Sequence, residues 1–145
     1  MVIHHTTSQV GPTGVTSRIL LTAVGAAGLI VGAFLNWTRD LQGTHVSWRS
    51  VYQDSFGSTS NIVQSVGGLS ILMGLIAVLG LADASGWLVR LAGAVGLVGS
   101  ILFIIQVQRS SDHSLQVGLW FALVGSVLCV IGGLSGSGRA VVVEE

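Results

Sequence analysis

Long apolar runs separated by short polar stretches set the pattern of this chain. Residues 19–37 (ILLTAVGAAGLIVGAFLNW) carry no charge, with Arg18 before them and Arg39 and Asp40 after. At about 1.5 Å rise per residue, such a run covers the roughly 30 Å hydrocarbon layer of a bilayer. Residues 62–82, 88–107 and 117–134 have the same character. The link at 83–86 is so short that the second and third runs must form an antiparallel hairpin. The pattern predicts an all-α fold, a four-helix transmembrane bundle of two helical hairpins. It occupies residues 18–136, between polar tails at 1–17 and 137–145.

Residues 38–61 form the one long connection. Within it Trp48, Val51, Tyr52 and Phe56 recur at helical spacing, opposite Ser47, Arg49, Ser50 and Gln53. That spacing predicts a short amphipathic helix in the first extracytoplasmic loop, with Thr44 placed to cap its start and Gly57 its end. Such a helix is expected to lie in the interface as a lid over the bundle. Trp37 closes the first span and Trp87 opens the third, where an indole favours the headgroup level. Trp37, Trp48, Tyr52 and Phe56 are the expected contact surface for a partner.

Small residues recur four apart within the spans: Gly28 and Gly32, Ser70 and Gly74, then Ala92, Gly96 and Ser100, and finally Gly118, Ala122 and Ser126. They let helices approach closely in lipid, where burial alone gives little reason to associate. Packing within the chain is the expected use, with a homodimer seam as the alternative at Gly28 and Gly32. AVGAAG at residues 23–28 is echoed by AVGLVG at 94–99.

Composition narrows the class. The chain of 145 residues is 50% hydrophobic and 8% charged, with mean hydropathy +0.80, against about 25% charged in an ordinary soluble domain. Six arginines balance six acidic residues and no run of like charge occurs, so nucleic acid is not an expected partner. The absence of lysine, with abundant Ala, Gly and Val, fits a GC-rich bacterial genome. Cys129 is the single cysteine, which excludes an intrachain disulfide, a CxxC redox pair and a thiolate cluster.

No Asp, Glu, Lys or His falls inside any span. A proton path, haem ligation and general acid–base chemistry all need such groups, so a non-catalytic protein without cofactor or metal is expected. Thr22, Gln64, Ser65, Ser70, Ser100, Gln106 and Ser126, with Asn36 at a boundary, are the polar residues of the spans. Their expected role is interhelical hydrogen bonding; the alternative is a neutral solute path lined by Gln64, Ser70 and Ser100. His4 with His5, and Asp40, His45, Asp54, Asp112 and His113 on the loops, match no metal-ligand spacing and are expected to be solvated.

Four spans place both tails on one side. Arginines tie at three a side, with Arg18, Arg90 and Arg139 against Arg39, Arg49 and Arg109. Asp40, Asp54, Asp112 and most aromatics lie with the loops, which puts the tails in the cytoplasm of a multi-pass cell-membrane protein.

Residues 32–37 (GAFLNW), followed by a polar loop, and residues 118–125 (GLWFALVG) resemble small, mostly uncharacterised four-span integral membrane proteins of high-GC Gram-positive, actinobacterial-type bacteria. The resemblance implies the same four-span architecture over nearly the whole chain. Some such proteins carry transporter-like names, sugar:proton symporter among them, but no membrane carboxylate stands here to couple a proton. The expected function is an accessory subunit or cell-envelope factor acting through helix packing and its aromatic first loop. Its expected partners are membrane lipid and either another membrane protein or a second copy. A small oligomeric transporter or pore for a neutral solute is the alternative.

Overall fold

The computed structural model describes residues 12–51, 58–82, 85–109 and 114–135. Four α-helices make up most of it: α1 (Pro12–Phe34), α2 (Val66–Leu79), α3 (Trp87–Arg109) and α4 (Val117–Ser135). Between α1 and α2 lie a two-stranded antiparallel hairpin, β1 (Asn36–Thr38) and β2 (Leu41–Gln42), and short 3-10 turns at Gly43–His45, Trp48–Val51 and Ile62–Gln64. Helices α1, α3 and α4 are long and apolar enough to cross a membrane, whereas α2 has 14 residues.

Helix α1 begins earlier and ends earlier than its apolar run. Pro12 is its first residue, where a fixed φ and a missing N–H cost nothing. At the other end the helix stops at Phe34, and Asn36–Thr38 is strand, so Trp37 lies beyond the helix. The second run is shortened more. Of residues 62–82, only Val66–Leu79 is α-helical, because the first loop sits where another turn would continue. Ser47 bridges to Ser65, the Val66 N–H donates to the Val46 carbonyl at 2.9 Å, and Ser65 caps α2 by accepting from the Gly68 N–H. Gly67 permits this: a Cβ there would lie 2.5 Å from Thr44 N.

The helices form a ring in the order α1, α2, α3, α4, closed by the most extensive interface, α1 against α4. Contacts run in opposite directions along that pair: Gly32 meets Gly118 and Ala122, Gly25 meets Gly125 and Cys129, and Thr22 meets Gly132. Gly28 faces Gly125 and the Phe121 carbonyl. On α4's other flank, Gly93 and Gly96 of α3 meet Ser126 and Val130. The echoed segments thus both pack on α4. Gly74 of α2 fits against Ala26 and Ile30 of α1. Ala92 and Ala122 are buried.

Polar side chains lie inside the bundle beside apolar ones such as Leu29, Phe103 and Leu119, and many large apolar side chains face outward. Thr22, Ser70, Ser100, Gln106, Ser126 and Cys129 are inside, while Val24, Phe34, Leu72, Leu75, Val98, Ile101 and Phe121 face outward. Large apolar surface of that extent marks a lipid or protein contact.

Candidate functional site

The structured cap at the loop end of the bundle is built around Trp37. Its side chain is 2% exposed, turned back under the hairpin rather than out to an interface. The indole Nε1–H donates to the Gly32 carbonyl at 2.8 Å, beside the Leu35 N–H that donates to the same oxygen at 3.2 Å in the last turn of α1. Phe103 of α3 meets the indole edge-on. Two glycines make the recess: a Cβ at Gly43 would lie 2.6 Å from the indole nitrogen, and one at Gly118 would lie 2.8 Å from its Cδ1. The Trp37 carbonyl accepts from the Gln116 N–H at 3.1 Å, which ties the hairpin to the start of α4. Trp37 therefore holds the cap in place and has almost no surface to offer a partner.

Trp48 is the aromatic of the expected contact set that the cap presents outward, at 51% exposure. It opens a 3-10 turn at Trp48–Val51, stabilised by the Ser50 N–H donating to Ser47 O at 2.9 Å. Tyr52 and Phe56 lie outside the described residues, as do the second part of the expected amphipathic helix and its Gly57 stop. Thr44 belongs instead to the Gly43–His45 turn, buried on Gly67, with its hydroxyl 3.2 Å from His45 Nδ1. Around Trp48 the cap exposes Arg39, Asp40, His45 and Arg49. No three His, Cys, Asp or Glu side chains come together among the described residues. His4, His5, Asp54, Asp112 and His113 lie outside them.

The buried serines of the helices are engaged in hydrogen bonds with backbone carbonyls. Ser70 donates across helices to the Leu29 carbonyl at 2.8 Å. Ser100 and Ser126 donate within their own helices, to Gly96 and Ala122 carbonyls at 2.8 and 2.7 Å. Thr22 Oγ1 is the exception, buried against Gly132 with no hydrogen-bond partner. Gln64, beside Ser70 and Ser100 in the solute-path alternative, is exposed in the turn before α2. The cleft lined by Ser70, Gly96, Gly99 and Ser100 has a volume of about 20 Å³, room for one water and no larger solute.

A much larger groove runs along the outside of the α1–α4 seam. It has a volume of about 470 Å³ and is floored by Gly28 and Gly125 and walled by Val24, Val31, Trp120 and Phe121. Trp120 is 52% exposed near the loop end, where Phe34 also faces outward. Trp37, expected at the headgroup level of this end, is buried. Besides Trp48, the outward indole here is Trp120, which lies inside an apolar run and whose exposure shows only once the helix faces are known.

No protein-family model, curated protein or solved structure matches the chain.

Proposed function

We propose that this chain is a four-span integral membrane protein of the cell membrane, with its tails in the cytoplasm. It acts without catalysis, as an accessory subunit or envelope factor that meets another membrane protein through the extracytoplasmic cap around Trp48, Tyr52 and Phe56. The carrying observation is the apolar outer surface, since large apolar side chains are exposed along all four helices while Ser70, Ser100 and Ser126 are buried between them. Three helices are already long enough to cross. For α2, about 21 Å of helix at 1.5 Å per residue, apolar flanks extend the reach: Ile62 and Val63 before it and Leu79 and Leu81 at its end, with Val63 94% exposed. Helices joined by short links alternate in direction, so a crossing by α3 carries α2 with it.

Against the transporter alternative stands the one-water cleft beside Ser70 and Ser100. A path for a neutral solute would have to form between copies of the chain. Both readings meet in one experiment. Tagged protein is captured from its native membrane in mild detergent, its companions are identified by mass spectrometry, and the intact complex is weighed. A stoichiometric heterologous partner, released by Trp48→Ala, supports the accessory role. A homo-oligomer with no other protein bound would overturn it.

A further inference from the structure

We propose that the groove outside the α1–α4 seam binds one acyl chain of a phospholipid in the leaflet on the cap side. The inference rests on the membrane reading above, though not on the accessory role. The lining recurs at three and four residues on both helices, with Val24, Ala27 and Val31 on α1 and Val117, Val124 and Leu128 on α4. Gly28 and Gly125 leave the floor bare. A Cβ at Gly28 would lie 3.2 Å from both the Gly125 Cα and the Phe121 carbonyl, so the backbones meet there and the flanking side chains stand above them. Among the described residues that line the groove none is charged, and the Trp120 indole N–H is the one polar side-chain group. A ligand seated there must be hydrocarbon, with any polar part at the rim.

Depth decides which hydrocarbon. From Val117 to Leu128 the groove follows α4 for about 16 Å at 1.5 Å per residue, about half of the roughly 30 Å hydrocarbon layer. Val117 is the first residue of α4, so the groove opens at the loop end of the bundle and runs to mid-membrane. One turn further toward the tails the seam is filled, because Leu21 lies against Gly132: a Cβ on that glycine would be 3.3 Å from the Leu21 Cβ. An acyl chain of one leaflet has the same extent, from the headgroup level to the membrane centre. Trp120, half-exposed one turn inside the loop end, sets an amphipathic ring at the level of the lipid esters.

A transmembrane helix, whether of another protein or of a second copy, would continue through both leaflets. It is also about 10–12 Å wide with its side chains, too broad for about 470 Å³ spread along this length. Ten residues line the groove, whereas a stable protein interface takes about 20–30 a side. One flexible chain fits where a helix does not, and walls on three sides hold it by dispersion contacts.

The test uses full-length protein purified from membranes in mild detergent and loaded with phosphatidylcholine that carries a photoactivatable group near the end of one acyl chain. Native mass spectrometry reads the stoichiometry, and peptide mapping reads the place of attachment. One phosphatidylcholine per chain is expected, attached near Val24 and Leu128 at the inner end of the groove. Ala27 is exposed on the groove wall, so Ala27→Trp fills the space and should weaken retention about tenfold. Ala27→Leu should fall between and guards against a variant that fails to fold. Val98→Trp, at an outward position of α3 away from the groove, should leave retention and mapping unchanged. Phosphatidylglycerol should compete equally, because the lining meets the chain and not the headgroup. Attachment spread evenly over the outer faces of α1, α3 and α4, with no loss in Ala27→Trp, would overturn the site and leave only annular lipid. Groove residues shielded by a second copy or by a copurified helix would overturn the acyl chain as occupant. Both of those results leave the membrane reading standing, which a chain stripped from membranes by alkaline carbonate would instead sink.

Discussion

The ring of Phe103 meets the indole of Trp37 edge-on, with centroids 5.1 Å apart and planes at 78°. This pair couples the start of the first loop to α3, with Phe103 lying 66 positions further along the chain than Trp37 (103 − 37). Edge-to-face geometry directs the positive rim of one ring at the negative face of the other and adds about 0.5–1.5 kcal/mol to what burial contributes. Trp37→Ala should destabilise the protein by about 3–5 kcal/mol, the range for emptying a large buried aromatic site. Trp37→Phe should cost less, since it keeps most of the packing and loses mainly the bond to Gly32. Unfolding in detergent gives both values. Limited proteolysis should find the first loop cut earlier in Trp37→Ala; an unchanged cleavage pattern would show that the cap does not depend on the indole.

Close approach of α1 and α4 makes a second prediction. A Cβ on Gly125 would sit 2.6 Å from the Gly25 carbonyl and 2.9 Å from Leu29 N, both backbone atoms that cannot rotate away. Gly125→Ala should therefore push the helices apart and cost about 1–3 kcal/mol, as overpacking does. Gly99→Ala is the control, since nothing lies within 4 Å of a Cβ there. It should be neutral or stabilising by up to about 1 kcal/mol, from helix propensity. Equal effects in the two variants would contradict the seam.

The serines separate by partner. Ser70 joins two helices, whereas Ser100 bonds a carbonyl of its own turn. Ser70→Ala should lose about 0.6 kcal/mol, the mean for an interhelical hydrogen bond in a membrane protein. Ser100→Ala should change stability by less. The comparison is made on the same detergent unfolding curves.

Thr22→Val should be neutral or stabilising. The threonine hydroxyl is buried without a partner, so replacing it with a methyl group removes a desolvated polar atom and no bond. A loss of more than about 1 kcal/mol would show that the hydroxyl is bonded in the folded protein.

Topology is read by labelling introduced thiols. Ser17 and Ser58 are exposed at opposite ends of α1 and of the cap. In intact cells a membrane-impermeant maleimide should modify Ser58→Cys, and should reach Ser17→Cys only after permeabilisation. Cys129, buried completely, should stay unlabelled until the protein is denatured. Reaction of both introduced thiols in intact cells would place both ends of α1 on one side and contradict its crossing.

The apolar runs in the sequence determined that the chain is helical and that α1, α3 and α4 have membrane length, because hydrocarbon thickness translates into a count of consecutive uncharged residues. Small residues four apart marked faces able to pack, since that spacing follows from the helix period alone. Which face meets which was a tertiary decision: Gly28 and Gly32 are spent on α4, and Gly99, in the same echoed pattern, on nothing. The cap was hidden for a related reason. Trp37 reads as the end of an apolar run, and only the recess left by Gly43 and Gly118, contributed from distant segments, turns it inward. The same folding back of the first loop onto Gly67 shortens α2, a limit that averaged hydropathy does not register because it depends on backbone bonds from a separate segment. Composition records how much of the chain prefers lipid, whereas the meeting of separate segments decides which of those residues the protein keeps for itself.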